Sequence, residues 1–266
     1  MVVEAVHVPD SLAEATAQAA RGGHVMAGGT AVMPLVNYGI VPGPELVSLR
    51  RTGLAGIEVG DGTARIGATT TFSEVADSPG LSVFRPAVAT IASPVIRNMA
   101  TVGGNLLTDP PGDFATCLLA LDATCEVAGA GGSRDVPVAE VIDSGLRPGE
   151  LLTAVVVRLP AGANWFYRKV TRRRMNSGAI MTIAATVETA GGLVTTARIA
   201  LGGLAPRPVR AASAERALAG RPLVPDVVME AGEAARADVT PADDPFASAW
   251  YRNRVLPVHL RRALLG

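Results

Sequence analysis

Histidine, cysteine and aromatic residues are all scarce in this chain, with three histidines, two cysteines and 4% aromatics in 266 residues. Each shortage removes a class of chemistry. His7, His24 and His259 stand apart, and none has the Ser, Cys or carboxylate neighbours of a catalytic triad, which argues against hydrolysis carried by side chains. Cys117 and Cys125 fall short of the four thiolates of an iron–sulfur cluster, and no nearby His or Cys completes a closed zinc site. Two reduced, buried thiols are expected instead. An excess of either charge is also missing. Lys plus Arg and Asp plus Glu are 24 each, so nothing draws the chain to nucleic acid or an anionic membrane surface. No apolar run approaches the roughly 20 residues of a membrane helix. The N-terminus has no basic stretch leading into an apolar one, so no signal peptide is expected and the chain reads as cytoplasmic. Any chemistry here is expected to belong to a bound cofactor.

What is abundant is apolar surface. At 48% hydrophobic the chain can offset its entropy with a real core, and its length suits one large domain or two modest ones. Asp10 or Ser11 is placed to cap a helix over 12–20, which Gly22-Gly23 stops. Residues 24–27 read as a short buried strand running into Gly28-Gly29, and Thr30 opens a helix through Val36. Residues 45–49 make a second short strand. Ile57, Val59, Ala64 and Ile66 alternate around Gly60-Asp61-Gly62, a hairpin signature whose turn needs positive φ. Ser73 is expected to cap a short helix to Ala76, and residues 83–92 to form a buried helix stopped by Pro94. Asp113 opens a helix with Leu118, Leu119 and Leu121 on its apolar side, and a strand with Cys125 and Val127 follows. Residues 151–159 are strongly β-like.

Pro160-Ala161-Gly162 breaks the chain, and the domain boundary is expected there. Residues 1–160 would be one domain, with subdomains of about 1–52 and 53–160, and residues 161–266 a second. In the second, strands are expected at 163–170, 178–189 and 194–201, a turn at Gly191-Gly192, and helices at 211–219, 225–237 and 245–264. The whole is α+β.

Two glycine pairs stand out. A pyrophosphate carries negative charge that must be met inside a pocket, and backbone N–H groups meet it where the chain turns tightly and no Cβ blocks the approach. Ala27-Gly28-Gly29-Thr30, between a strand and a helix, has that form, with the Thr30 hydroxyl as a further donor. Thr101-Val102-Gly103-Gly104-Asn105 reads as the same device repeated. Neither matches the Gly-x-Gly-x-x-Gly or Walker pattern, and a lone Gly-Gly is usually an ordinary turn. As a pair they predict a clasp around one extended dinucleotide.

These segments resemble the FAD-binding subunit of molybdenum hydroxylases, the family of the carbon monoxide dehydrogenase medium subunit and the xanthine dehydrogenase flavin domain. Further pieces match in order: Asp113 with Leu118 to Ala123, Glu150-Leu151-Leu152, Phe166 to Val170 with Arg173-Arg174, Ala200 to Arg210, Tyr251-Arg252, and Leu260 to Leu264. The resemblance spans essentially the whole chain. It implies a two-subdomain FAD-binding domain of the vanillyl-alcohol-oxidase-like type, followed by a sheet-plus-helices C-terminal domain. It implies that Met26, Ala27, Gly28, Gly29, Thr30, Ala31 and Val32 line the first phosphate loop, and that Thr101, Val102, Gly103, Gly104 and Asn105 form the second. Asp113 would accept hydrogen bonds from the nucleotide half of FAD, Ile91 would flank the cofactor, Leu151 or Leu152 would pack against it, and Lys169 would bring positive charge near the flavin or phosphates.

The resemblance also implies partners, an iron–sulfur small subunit and a molybdopterin large subunit. Electrons would pass from the clusters to FAD and on to NAD, oxygen or a quinone. The sequence departs from the family in places. The first loop reads Gly-Thr-Ala where many relatives have Gly-Thr-Asp, Asn176 stands where some have an acid near the flavin ring, and the stretch from Asn105 to Asp113 is one residue shorter than in some. The alternative is a stand-alone FAD-dependent oxidase or dehydrogenase acting on a small organic substrate. It would need a tyrosine or acid as base, and Tyr38 and Tyr167 are the only tyrosines outside the tail.

Overall fold

A computed structural model describes residues 3–40, 43–161, 164–173 and 177–266. The chain forms two compact units that do not follow a single cut. The first comprises Met1–Arg85, Ser93–Asp109 and Ala123–Arg158, and the second Pro86–Ala92, Pro110–Asp122 and Leu159–Gly266.

The first unit carries two sheets. Strands β1 (Ala5–His7), β2 (His24–Met26) and β3 (Glu45–Ser48) pair in parallel in the order β1-β3-β2. Parallel pairing needs crossover connections, and the helix Leu12–Ala20 supplies one. Its cap is Ser11, whose Oγ accepts the Glu14 N–H at 3.2 Å. Gly23 lets the chain pass close to β3, since a Cβ there would lie 2.6 Å from Val47 Cγ2. The second sheet is antiparallel: β4 (Ile57–Gly60), β5 (Thr63–Gly67), β6 (Thr124–Gly129), β7 (Gly132–Pro137) and β8 (Leu151–Arg158), ordered β4-β5-β8-β6-β7. The β4–β5 turn places Asp61 at φ 51 and Gly62 at φ 72, the left-handed pair that a two-residue hairpin requires. Central β8 is covered on both faces, which explains its unbroken valines. Its first residue, Leu151, joins Ala15, Val47 and Leu49 in one apolar cluster, so the two sheets share a core at that point.

The second unit is built on an antiparallel sheet of β9 (Trp165–Thr171), β10 (Ala179–Ala190), β11 (Leu193–Gly202) and β12 (Val209–Arg210), ordered β12-β11-β10-β9. The helix Asp113–Ala120 lies against β10 and β11, and the helices Ala212–Leu218, Pro225–Ala234 and Ala249–Leu264 complete the unit. Ile183, Ile199, Leu218, Val228, Leu256 and Leu260 bury together in its core.

Several local expectations need correction. The helix expected from Ser73 is Phe72–Asp77, and Thr71 caps it: Thr71 Oγ1 accepts the Glu74 N–H, while Glu74 Oε2 accepts the Thr71 N–H at 2.7 Å. Ser73 instead donates to Asn98. The single helix expected over 83–92 is a 3-10 segment, Pro79–Phe84, followed by a short α-helix, Arg85–Ala89. It ends before Pro94 because Thr90 and Ile91 bond to carbonyls three residues back and Ala92 turns to φ 45. The last helix starts at Ala249 rather than at Pro245. Asp244 takes the Phe246 and Ala247 N–H groups and Ser248 caps the helix, so the preceding residues form a turn. β7 and the helix Val138–Ser144 went unanticipated; β7 is an edge strand with polar residues outward and no alternation to read.

Candidate cofactor site

A cavity of about 840 Å3 opens in the first unit, within the size range of small-molecule and cofactor sites. Both glycine segments line it. Of the residues expected at the site, Ala27, Gly28, Gly29, Thr30, Ala31, Val32, Thr101, Gly103, Gly104, Asn105, Leu151 and Leu152 lie on its wall. Met26 and Val102 do not, although Met26 packs under Gly29 and Val102 is fully buried. Ile91, Asp113 and Lys169 belong to the second unit. Asn176 and Arg174 fall outside the described residues.

The two glycine segments are built differently. In the first, the N–H groups of Gly28, Gly29, Thr30, Ala31 and Val32 meet no acceptor among the described residues, and neither does the Thr30 hydroxyl. Five consecutive donors on the cavity wall are thus without a partner among the described residues, a run of the kind that can meet an anion. Gly29 makes the bend at φ 73. Gly28 allows a close approach of backbone to backbone, because a Cβ there would sit 1.6 Å from the Met99 carbonyl oxygen. The helix behind the loop, Val32–Asn37, is too short for its dipole to add much.

The second segment is no repeat of the first, contrary to expectation. Thr101 is the N-cap of a helix, Val102–Leu107, and both glycines lie inside its first turn. Its donors are already used: Val102 N–H bonds to Thr70 O, Gly103 to Ala68 O, Gly104 to Thr101 Oγ1 and Asn105 to Thr101 O. The glycines serve packing, since a Cβ on Gly103 would meet Ala68 O at 2.8 Å and one on Gly104 would meet Thr101 Oγ1 at 2.8 Å. This segment therefore supplies a rigid wall, and the free donors come from the first.

The rest of the cavity is mostly apolar, with Leu35, Leu49, Leu107 and Leu146 added to the expected leucines. His24 and Glu150 also line it. Burial pushes the His24 imidazole below its ordinary value, because the charged form is the harder one to desolvate. Glu150 is gripped by Arg134 in a two-pronged ion pair at 2.8 and 2.9 Å, and it accepts the Arg147 N–H at 3.0 Å. The Arg134 hydrogen bond, the largest effect, outweighs burial and holds the Glu150 carboxyl down at about 2. His24 was legible only as a strand residue. Glu150 lay in a recognised segment, but nothing in the sequence links it to Arg134.

In the second unit, Asp113 and Lys169 come together. Lys169 Nζ lies 2.6 Å from Asp113 Oδ2 and donates to Thr90 O at 3.0 Å, and Thr182 Oγ1 donates to Asp113 Oδ1 at 2.6 Å. The lysine charge is thus matched locally instead of standing free. Tyr167 bonds to the Thr90 hydroxyl at 2.8 Å, and burial, the largest effect, pushes its phenol up. A phenol so raised is unsuited to act as a base at neutral pH. Tyr38 is 81% exposed, on the residue that caps the end of the helix Val32–Asn37. Cys117 and Cys125 are both buried and unpaired.

Comparison with known proteins fits this geometry. Residues 2–161 match the family described as the FAD binding domain in molybdopterin dehydrogenase, and residues 165–266 match the CO dehydrogenase flavoprotein C-terminal domain. The chain is 32% identical to the carbon monoxide dehydrogenase medium chain of Afipia carboxidovorans, over 97% of this chain and 94% of that one. It is also 32% identical to subunit alpha of the 6-hydroxypseudooxynicotine dehydrogenase complex of Paenarthrobacter nicotinovorans, over 97% and 92% of the two chains. Among solved structures, a chain of Cu,Mo-CO dehydrogenase superposes with a TM-score of 0.91 at 31% identity, covering 99% of this chain and 98% of that one. A chain of quinoline 2-oxidoreductase from Pseudomonas putida 86 gives 0.90 at 27% identity, covering 98% and 95%.

Proposed function

The chain belongs to the family of FAD-binding medium subunits of molybdenum hydroxylases, and we propose that it holds FAD in the cavity of its first unit, receives electrons from an iron–sulfur subunit and passes them to an external acceptor. It is an oxidoreductase subunit whose cofactor is FAD. The observation that supports the placement is the run of N–H groups from Gly28 to Val32, without a partner among the described residues, on a cavity wall. These five residues are half-buried or exposed, and five consecutive N–H groups with no partner among the described residues, on a cavity wall, support a seat for an anion there. A pyrophosphate supplies acceptor oxygens in the number and charge that such a seat accommodates.

Bound FAD supplies the redox chemistry. The chain's own residues bind and orient it. Gly28 to Val32 and the Thr30 hydroxyl donate to the phosphates, the rigid start of the Val102–Leu107 helix bounds the opposite wall, and Leu151 and Leu152 exclude water from the apolar parts. The resemblance assigns Asp113 to the nucleotide half and Ile91 and Lys169 to the cofactor's flanks. With Lys169 and Thr182 already on its two oxygens, Asp113 retains only its remaining lone pairs for such a contact.

The relatives are medium chains and subunits of multi-subunit enzymes, which supports an iron–sulfur subunit and a molybdopterin subunit as this chain's partners. NAD, oxygen and a quinone are the acceptors in view. The test is to purify the tagged chain from its source organism. The expected product is yellow, with an iron–sulfur and a molybdenum subunit in equal amounts. A colourless protein that ignores FAD would overturn the cofactor placement, and a lone chain that oxidises a small substrate by itself would overturn the electron-transfer role.

A further inference from the structure

The outer face of the helix Ala249–Leu264 carries a hollow of about 370 Å3 lined by Arg236, Trp250, Asn253 and Arg254. Trp250 is 69% exposed, far more than a large apolar side chain gains from leaving in water. The Arg254 guanidinium lies 5.7 Å from its ring centroid, one helical turn along. Arg254 has no carboxylate partner among the described residues, and the Asn253 side-chain amide makes no hydrogen bond among them. Arg236 is fixed beside them by its bond to Asn253 O at 3.0 Å and by an ion pair with Glu233. An apolar plate, an unused amide and a stacked, unpaired guanidinium therefore converge on one spot.

We propose that this hollow is a docking point for a carboxylate-bearing segment of another chain of the complex; the proposal rests on the reading that this chain works in a multi-chain assembly. Three features favour that occupant. The unpaired Arg254 fork presents parallel donors that match a carboxylate in two places, and stacking on Trp250 has already restricted its rotamers. Trp and Arg are the residues that dominate protein–protein binding energy. The hollow is open to solvent and lined by only four residues, whereas small-molecule sites enclose most of the ligand surface, so a nucleotide stacked on Trp250 is the less favoured occupant.

Hydroxyl-radical footprinting of Trp250, in the isolated chain and in the affinity-purified complex, tests this directly. Oxidation of Trp250 should fall in the complex, and Arg254→Glu should lower recovery of the partner chains at least about tenfold. FAD content per chain should hold, because the hollow shares no residue with the cofactor cavity. Arg254→Lys, which keeps the charge and loses the fork, should fall between. Equal oxidation of Trp250 in both samples, or full recovery of partners with Arg254→Glu, overturns the proposal. So does protection that grows with the concentration of the isolated chain, which assigns the hollow to a second copy. Saturable quenching of Trp250 fluorescence by ADP overturns it in favour of a nucleotide. A wild-type chain that purifies alone overturns the multi-chain reading as well, which separates the two failures.

Discussion

Lys169 Nζ sits 2.6 Å from Asp113 Oδ2, and only 6% of the lysine side chain reaches solvent. Removing one member leaves the other charged, buried and unpaired, which costs about 3–5 kcal/mol. Lys169→Met should therefore destabilise the protein strongly, and so should Asp113→Asn. The double variant should lose less than the sum of the two, because neither charge is then left alone. Chemical unfolding of the FAD-free protein checks this, and simple additivity would contradict the pairing.

The glycines of the two segments make a second prediction. Gly28→Ala and Gly103→Ala place a Cβ 1.6 Å from Met99 O and 2.8 Å from Ala68 O, so backbone must move in both. Each should cost stability in FAD-free protein, Gly28→Ala most. Gly29→Ala should cost less, on the order of 1–2 kcal/mol for a left-handed φ. Thermal unfolding without FAD is the measurement, and unchanged melting of Gly28→Ala would contradict the packing described.

Acid should reveal Glu150. Its carboxyl is held at about 2 against an ordinary 4.5, chiefly by the Arg134 hydrogen bond. A folded value below the unfolded one gives stability that is complete above pH 4.5 and fades as pH falls toward 2. The wild-type advantage over Glu150→Gln should shrink across that window in urea titrations. Two curves that stay parallel from neutral pH to acid would contradict it.

The thiols should be inert. Burial pushes the Cys125 thiol up to about 12 and raises Cys117 as well, and the thiolate is the reactive form. Ellman's reagent should label neither in native protein and both in urea. Fast labelling at neutral pH would contradict the burial of both.

The sequence made the regular elements legible where one residue dictates local geometry. Ser11, Gly62 and Gly191-Gly192 each set a cap or turn by conformation alone, and the elements they bound fall where expected. It misled where a choice depends on distant partners. Ser73 looked like a cap, but Glu74 can close a box only with Thr71, two residues earlier. The two glycine segments looked alike, because Gly-Gly does not reveal whether its neighbours' N–H groups are taken. Thr70 and Ala68, some thirty residues upstream, take those of Val102 and Gly103, whereas nothing among the described residues takes those of Gly28 to Val32. The Lys169–Asp113 and Arg134–Glu150 pairs were likewise invisible, since in each pair the partners are joined only by strand register and helix placement.

The central claim is that FAD phosphate is held by the free N–H groups of Gly28 to Val32, and equilibrium titration of FAD into Ala31→Pro tests it most directly. Ala31 is exposed and its N–H has no partner among the described residues; its φ of −96 is about 30° from the value proline prefers, so proline removes one donor at the cost of a local backbone adjustment. The account predicts a protein that still folds cooperatively without FAD, with at most a small loss of melting temperature, and an FAD affinity about tenfold or more weaker, the worth of one hydrogen bond to a charged group. Wild-type affinity in Ala31→Pro would contradict it.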